Sequence, residues 1–324
     1  MRCINKTGML FFLLIFSAML LFLTGCGEDL TTPFNIEAVS AYSLDSNVSS
    51  ETAEPFAYDL CVAGGELVPE TVNLSSAEVE GLFNVAGRET LIAKGVHNRM
   101  NPASITKVMT ALIALKYGNL SDVLIASNNV KITESGAQVI PLREGDKMTL
   151  EAALHALLMY SANDVAIMIA EYISGSEAAF VDRMNSEARA LGATNTNFAN
   201  PHGLTDENHY TTAYDLYLIF NEAVKNPKFV EILQKPEYSF KYADAEGNSK
   251  ELSFMSSNMY LSGGAEVPAG VTVIGGKTGT TKAAGSCLIL LSRNETGDPC
   301  ISVVLNAESR ETLYDQMSAL LAYE

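Results

Sequence analysis

The chain has 324 residues and a formal net charge of −17, from 21 Lys and Arg against 38 Asp and Glu. This acidic balance argues against a nucleic-acid binder, which needs a basic face to neutralise phosphates. The 48% of apolar residues excludes a disordered chain and allows a sizeable core in one large domain or two smaller ones.

The first residues predict an export signal. Arg2 and Lys6 precede an apolar run at 9–23 that is shorter than the roughly 20 residues needed to cross a membrane. The run leads into Leu-Thr-Gly-Cys, which resembles a bacterial lipobox. We therefore expect residues 1–25 to be a lipoprotein signal peptide and Cys26 to carry the lipid that anchors the exported protein to the outer face of the cytoplasmic membrane. An ordinary signal peptide or an uncleaved anchor is the alternative.

The residues after the lipobox are polar and acidic, without clear periodicity. We expect 26–75 to hold the lipidated cysteine, a flexible tether and an entry segment. Residues 76–324 are then expected to form a single folded domain.

Within that domain the pattern predicts strands, then mostly helices, then strands again. Strands at both ends of a helical middle indicate an α+β fold, in which an antiparallel sheet flanked by helices pairs the chain ends across a mostly helical subdomain. The predicted elements are strands at 77–83 and 89–94, helices at 102–118, 149–173 (interrupted near Ser161), 177–191 and 212–224, a hairpin of 237–242 and 251–254, strands at 271–277, 287–292 and 300–306, and a helix at 310–323.

Three further cysteines, Cys61, Cys287 and Cys300, follow the lipobox. None lies in the paired spacing that suggests zinc. A turn near 294–297 would place position 287 opposite 304 rather than 300, so we expect free, buried thiols rather than a disulfide.

Ser104 and Lys107 stand three residues apart at the start of the first predicted helix. On a helix this spacing puts hydroxyl and amine on one face. A serine needs a base to become a nucleophile, and a lysine desolvated by burial can lose its proton and serve as that base. The motif is weak by itself, and alone it favours a surface capping serine beside a solvated lysine.

A second motif, Ser161-Ala162-Asn163, interrupts an apolar helical block. Polar side chains between apolar runs are either satisfied inside the protein or face a cleft. Taken alone, a helix break with local hydrogen bonds explains the motif at least as well.

A third motif, Lys277-Thr278-Gly279-Thr280, lies on or beside a predicted strand. The lysine supplies positive charge, the threonines supply hydroxyl donors, and Gly279 lets a ligand backbone approach the strand closely. A phosphate-binding loop is rejected, because Val271 stands where its first glycine is needed and a strand rather than a helix follows.

Together, and in this order, the three motifs form the signature of penicillin-recognising serine enzymes. Over residues 76–324 the chain resembles the D-alanyl-D-alanine carboxypeptidase family, the low-molecular-weight penicillin-binding proteins of the β-lactamase/transpeptidase-like superfamily. The segments 200–204 and 209–216 also look typical of this branch. Within them we expect His202 and His209 to fix a loop beneath the helical half rather than to act in catalysis.

The resemblance implies a catalytic set. Ser104 would attack the carbonyl between the two terminal D-alanines of a peptidoglycan stem peptide, with Lys107 as the base. Ser161 would relay a proton to the leaving amine, helped by the charge of Lys277. Asn163 would orient Lys107 and the substrate amide.

The resemblance also implies how the substrate is held. Backbone N–H groups of Ser104 and Thr280 would form the oxyanion hole, and the hydroxyls of Thr278 and Thr280 would bind the terminal carboxylate. Arg310 would be a second carboxylate anchor, with a surface arginine as the equal alternative. β-Lactams would acylate the same serine and act as inhibitors. No cofactor or metal is expected, because the four histidines show no ligand spacing.

Three other functions use the same or similar residues. A D,D-endopeptidase that cuts cross-links shares all of them and stays open. A β-lactamase is disfavoured, since 195–204 holds no glutamate for deacylation and Ala162 stands where such enzymes usually have Asp. A non-enzymatic β-lactam sensor is disfavoured because every motif residue is intact and the sequence has no multi-span membrane region.

Overall fold

The computed structural model describes residues 57–324. The predicted signal peptide at 1–25, the lipidation site Cys26 and the tether up to residue 56 lie outside the described residues. In the described part, no helix combines the length and the apolar character needed to cross a membrane.

A five-stranded antiparallel sheet joins the early and late parts of the described chain. Its strands are β1 (Ala77–Asn84), β2 (Glu89–Lys94), β7 (Thr272–Thr281), β8 (Gly285–Arg293) and β9 (Pro299–Ala307). They follow the order β2-β1-β9-β8-β7, and Gly81 of β1 lies opposite Val303 of β9. The predicted α+β fold, with a sheet that pairs distant parts of the chain across a helical insertion, is confirmed.

Helices fill the middle of the chain, and the predicted break near Ser161 is present as a π-helical turn at Ala156–Tyr160. The helix that begins with Pro227 was not predicted, because its single short run gives little periodicity. The helices are α1 (Lys107–Tyr117), α2 (Leu150–His155), α3 (Asn163–Ser174), α4 (Glu177–Ala190), α5 (Ala213–Ala223), α6 (Pro227–Leu233), α7 (Met259–Ser262) and α8 (Arg310–Leu321).

A second sheet is formed by four strands from the mostly helical middle of the chain. It consists of β3 (Val123–Ile125), β4 (Lys147–Thr149), β5 (Glu237–Ala243) and β6 (Ser249–Met255), paired in that order. The β5–β6 hairpin matches the prediction. Strands β3 and β4 were missed, because three residues are too few to display an alternation of apolar and polar side chains.

Each face of the five-stranded sheet carries a core, because side chains alternate along a strand. On β8, Ile289 and Leu291 face the helical part, while Leu288 and Leu290 face α8. Helix α1 lies within the helical core, and its residues 107–114 are all buried. Its first residue is a lysine, so the fold holds an ionisable amine away from water, which costs free energy unless the amine is paired or neutral.

The cysteine prediction is confirmed, since Cys61, Cys287 and Cys300 are free and buried. The predicted register of the β8–β9 hairpin was wrong by one residue. Val304 lies opposite Leu288 rather than Cys287, and Cys300 lies opposite Ser292. The conclusion that no disulfide joins Cys287 and Cys300 still holds, because the two residues are several positions out of register.

Candidate active site

Ser104 lies on a short 3-10 turn, Ala103–Thr106, immediately before α1. The turn starts with Ala103 at φ 48°, a left-handed conformation that is unusual for a residue with a side chain. The Thr106 hydroxyl donates to the Ala103 carbonyl at 2.8 Å and closes the turn. This nucleophile turn, residues 103–106, brings Ser104 Oγ within 2.9 Å of Lys107 Nζ.

Lys107 is fully buried, and its Nζ contacts three oxygen atoms. They are Ser104 Oγ at 2.9 Å, Asn163 Oδ1 at 2.7 Å and the His202 carbonyl at 2.6 Å. Carbonyl oxygens only accept hydrogen bonds, so two N–H groups of a neutral amine point at Asn163 and His202. The lone pair is then left for the Ser104 proton.

Burial sets the charge of Lys107. Removal from water lowers its pKa well below the usual value, and the positive charge of Lys277 lowers it further. The carboxylate of Asp164 acts in the opposite direction. The neutral form that the hydrogen-bond pattern favours is therefore the form that burial favours.

Ser161 ends the π-helical turn in a left-handed conformation, with φ 69°. Ser161 lines the cleft in this strained conformation, and its Oγ lies 3.0 Å from Lys277 Nζ. Asn163, two residues later, begins α3 and reaches Lys107. The helix break seen in the sequence thus delivers both polar side chains of the second motif to the two lysines.

Lys277 is the second buried lysine, and it lies on strand β7. Its Nζ donates to Ser161 Oγ and to the Thr278 carbonyl, at 3.0 Å and 2.7 Å. Burial lowers the pKa of Lys277 to about 7. The amine is therefore poised between charged and neutral forms near neutral pH.

Gly279 allows β7 to pass directly beside the nucleophile turn. A Cβ atom at this position would lie 3.0 Å from the Ser104 nitrogen and 3.0 Å from the Pro102 carbonyl. Those distances are too short for an ordinary side-chain contact. The backbone N–H of Ser104 and the end of β7, with Thr280, therefore border the same space.

The segment around 199–209 supports the nucleophile turn from behind. Gly203 has φ +85°, and a Cβ there would lie 1.9 Å from the Ala103 carbonyl. His209 accepts from the Ala199 N–H at Nδ1, so its Nε2 carries the proton toward Thr106 Oγ1, 2.8 Å away. His209 thus contacts the nucleophile turn, as expected of a residue that fixes this loop, and the His202 carbonyl adds a contact to Lys107 that the sequence did not reveal.

Ser257 is a cleft residue that the sequence reasoning missed. Its Oγ lies 2.7 Å from Thr278 Oγ1, and its carbonyl accepts from Arg310 Nη2 at 2.9 Å. Its N–H donates to the Met159 carbonyl at 3.2 Å. Ser257 therefore links the third motif to Arg310, and no sequence signal marks it because a lone serine after a strand is common.

These residues surround one cleft of ≈ 620 Å³. Glu134, Gln138, Leu204 and Met255 line other parts of its wall. Lys107 and Lys277 do not line the cleft but lie behind its surface, each in contact with a serine that does. The predicted site residues that line it are Ser104, Ser161, Asn163, Thr278, Gly279, Thr280 and Arg310.

Such an arrangement suits covalent catalysis by a serine hydroxyl. It offers a hydroxyl beside a desolvated amine, a second hydroxyl beside a second amine, and backbone N–H groups nearby. Among residues 57–324 no group of three or more His, Cys, Asp or Glu side chains is arranged to hold a metal ion.

Comparison with known proteins agrees with this geometry. A family model described as D-alanyl-D-alanine carboxypeptidase matches residues 76–309. The chain is 32% identical over 239 residues to the D-alanyl-D-alanine carboxypeptidase DacF of Bacillus subtilis, covering 72% of this chain and 58% of that protein. It is 29% identical over 266 residues to DacC of Escherichia coli, covering 78% of this chain and 63% of that one. The matched region is thus about three fifths of these relatives' length.

A solved structure is also similar. The crystal structure of the Streptomyces K15 DD-transpeptidase superposes with a TM-score of 0.71 at 25% sequence identity. The match covers 78% of this chain and 98% of that one. Nearly the whole of that protein's fold is therefore represented here.

Proposed function

Because the chain belongs to the D-alanyl-D-alanine carboxypeptidase family, we propose that it is a serine-type D-Ala-D-Ala carboxypeptidase that trims peptidoglycan stem pentapeptides. The observation that carries the proposal is the 2.9 Å contact between Ser104 Oγ and the buried amine of Lys107. A desolvated amine with two carbonyl partners can accept the serine proton without first giving up one of its own.

Acylation follows from that contact. Lys107 takes the proton as Ser104 Oγ bonds to the carbonyl carbon between the two terminal D-alanines. The developing oxyanion is stabilised by the backbone N–H groups of Ser104 and Thr280, which border the same space. The C–N bond then breaks, and Ser161, in contact with Lys277, relays to the leaving D-alanine amine the proton that Lys107 took from Ser104, which returns Lys107 to its neutral form.

Residues of β7 and its neighbours bind the terminal carboxylate of the substrate. The Thr278 and Thr280 hydroxyls donate to the terminal carboxylate, and protonated Lys277 supplies charge beneath them. Arg310 is held toward the cleft by the Ser257 carbonyl and forms the second anchor. Gly279 keeps the strand close enough to Ser104 for one substrate to reach both groups.

Hydrolysis of the acyl-enzyme completes the cycle. Water attacks the ester carbonyl as Lys107 takes its proton, the bond between the carbonyl carbon and Ser104 Oγ breaks, and Lys107 passes that proton to the serine oxygen. A β-lactam acylates Ser104 in the same way, but its leaving group stays tethered, and slow release makes the drug an inhibitor.

One digestion tests the proposal. The chain from residue 27 onward, which keeps every described element, is incubated with muropeptide pentapeptides and with cross-linked dimers. We expect free D-alanine from the pentapeptide, no release by Ser104→Ala, and unchanged release by Ser253→Ala, an exposed serine on β6. Separated monomers without free D-alanine would instead identify an endopeptidase, and penicillin labelling of Ser104→Ala would refute catalysis at Ser104.

We further propose that the enzyme is exported and held at the membrane by a lipid on Cys26. The support is the basic–apolar order of 1–25 and the position of the cysteine at its end. In cells that make the full chain and are fed a labelled fatty acid, the protein should carry the label, Cys26→Ala should lose it and Cys61→Ala should keep it. Equal labelling of the Cys26→Ala protein, or no label on the unchanged protein, would contradict a lipid on Cys26.

A further inference from the structure

A second cavity, of ≈ 660 Å³, lies toward the other end of β7. It opens between α5, α6 and the strand ends near the β8–β9 turn, and it shares no lining residue with the catalytic cleft. Ile274 lies six residues before Thr280, roughly 20 Å away along an extended strand. The cavity, called the basic cavity below, has apolar walls from Val85, Val224, Val230, Ile274, Leu291 and Pro299, and the polar residues Gln234 and Ser292 also line it.

The amide of Asn221 lines the basic cavity although the residue is only 4% exposed. In the described part of the chain its side chain has no hydrogen-bond partner. Asn185 on α4, by contrast, bonds both the N–H and the carbonyl of Phe198. Since Asn221 lines the cavity, its amide can offer one acceptor and two donors to whatever occupies that space.

Positive charge rings the opening. Arg88, Lys225 and Arg293 line the cavity together with one acidic residue, Asp59, and Arg88 lies over the Tyr58 ring, 4.0 Å from its centroid. Arg293 Nη1 donates to the Gly297 carbonyl at 2.7 Å, which fixes its guanidinium at the mouth. Lys225 also pairs with Glu222 at 2.9 Å, an exposed contact of the kind that contributes little.

We propose that the basic cavity binds a short peptide with small apolar side chains and a free terminal carboxylate. The carboxylate pairs with the Arg293 guanidinium, whose planar geometry matches it. A peptide group satisfies the Asn221 amide, since it offers both a donor and an acceptor. An anionic lipid would also match the charge and the apolar walls, but its acyl chain would leave the amide unsatisfied.

Chemical-shift mapping tests this on the ¹⁵N-labelled chain from residue 27 onward. The probes are N-acetyl-L-Ala-L-Ala, its C-terminal amide and dihexanoyl phosphatidylglycerol. We expect the free acid to shift the backbone signals of 221–225 and 291–293, and the amide to bind about tenfold more weakly, because one charge-assisted pair is lost. Absence of shifts there, or equal binding of acid and amide, would overturn the proposal, as would tighter binding of the lipid.

Two variants separate the contacts. Arg293→Gln should weaken binding of the acid about tenfold, while Arg99→Gln, an exposed arginine elsewhere, should leave it unchanged. Asn221→Leu should remove binding even though the charges remain, and Arg293→Gln keeps the test valid if that buried change prevents folding. Equal losses in Arg293→Gln and Arg99→Gln would refute a site at the basic cavity. Penicillin labelling of Ser104 reports the catalytic proposal separately.

Discussion

The two cavities along β7 have similar volumes but differ in how far their positively charged side chains are exposed to water. In the catalytic cleft the two lysines are fully buried behind the surface, and each is held by two or three oxygen atoms. In the basic cavity the cations are exposed, and a neutral amide, that of Asn221, lines the same space. Desolvation changes proton affinity only where charge is taken out of water. The first arrangement therefore suits proton transfer, and the second suits binding alone.

The largest effect is expected when Lys107 is replaced by a cation that cannot lose its proton. Lys107→Arg should lower penicillin acylation about 10³-fold, because guanidinium stays protonated and cannot act as a base. Stopped-flow acylation of Ser104 measures the rate. Lys116→Arg, the same change on an exposed part of α1, is the control. A Lys107→Arg enzyme with near-normal acylation would show that burial of this amine does not matter.

The second prediction concerns pH. The pKa of Lys277 is lowered to about 7 by burial, so the amine is charged below that pH and neutral above it. If the charged form attracts the substrate carboxylate, as we propose, KM for a pentapeptide should rise as pH increases through about 7, with a smaller change in kcat. Steady-state kinetics across this range test the effect. A pentapeptide with an amidated C-terminus should lack it, and a flat KM for the free acid would contradict the role of Lys277.

A smaller effect is expected from geometry alone. Gly279→Ala would push β7 away from the nucleophile turn by a few tenths of an ångström, because the new Cβ meets the Ser104 nitrogen and the Pro102 carbonyl at 3.0 Å. We expect acylation to slow about tenfold, since misplaced donors stabilise the oxyanion poorly. Gly64→Ala, where a Cβ meets nothing within 4 Å, should have no effect. Unchanged acylation by Gly279→Ala would mean that the close approach is not needed.

The smallest effect is expected from the exposed cation of the cleft, Arg310. Arg310→Gln removes an exposed cation of the cleft, comparable in setting to Arg293 of the basic cavity. It should raise KM for pentapeptide several-fold and leave kcat nearly unchanged, because it removes binding without touching the reacting atoms. Arg99→Gln serves as the control. A fall in kcat with constant KM would assign Arg310 a role in the chemistry instead.

Much of the fold could be predicted because its longer elements have clear periods. The strands of the large sheet and the helices α1, α3, α4 and α5 each repeat their apolar pattern several times. Elements of three or four residues, such as Val123–Ile125 and Met259–Ser262, are too short to repeat an apolar pattern. The one-residue error in the β8–β9 register arose because a turn located by composition does not fix which residues pair.

The site divides in the same way. Side chains within short motifs, such as Ser104 and Lys107, could be proposed because three motifs in order resemble a family signature, whereas the spacing of one motif alone did not favour catalysis. Ser257 and the His202 carbonyl could not, since each acts through a contact that depends on the fold. The need for glycine at 203 is likewise visible only when the Ala103 carbonyl is seen beside it.

The order of strands in the large sheet also affects how the protein is made. Strand β1 is synthesised early, yet it lies between β2 and β9 in the sheet. Strand β9 is synthesised only near the end of the chain. The nucleophile turn likewise waits for β7 to form the wall beside it. Pairings between such distant segments are slow to form, and the early segments stay exposed until they do. A growing chain is therefore expected to stay inert toward penicillin until β7, β8 and β9 have been added, so the reactive serine is assembled last.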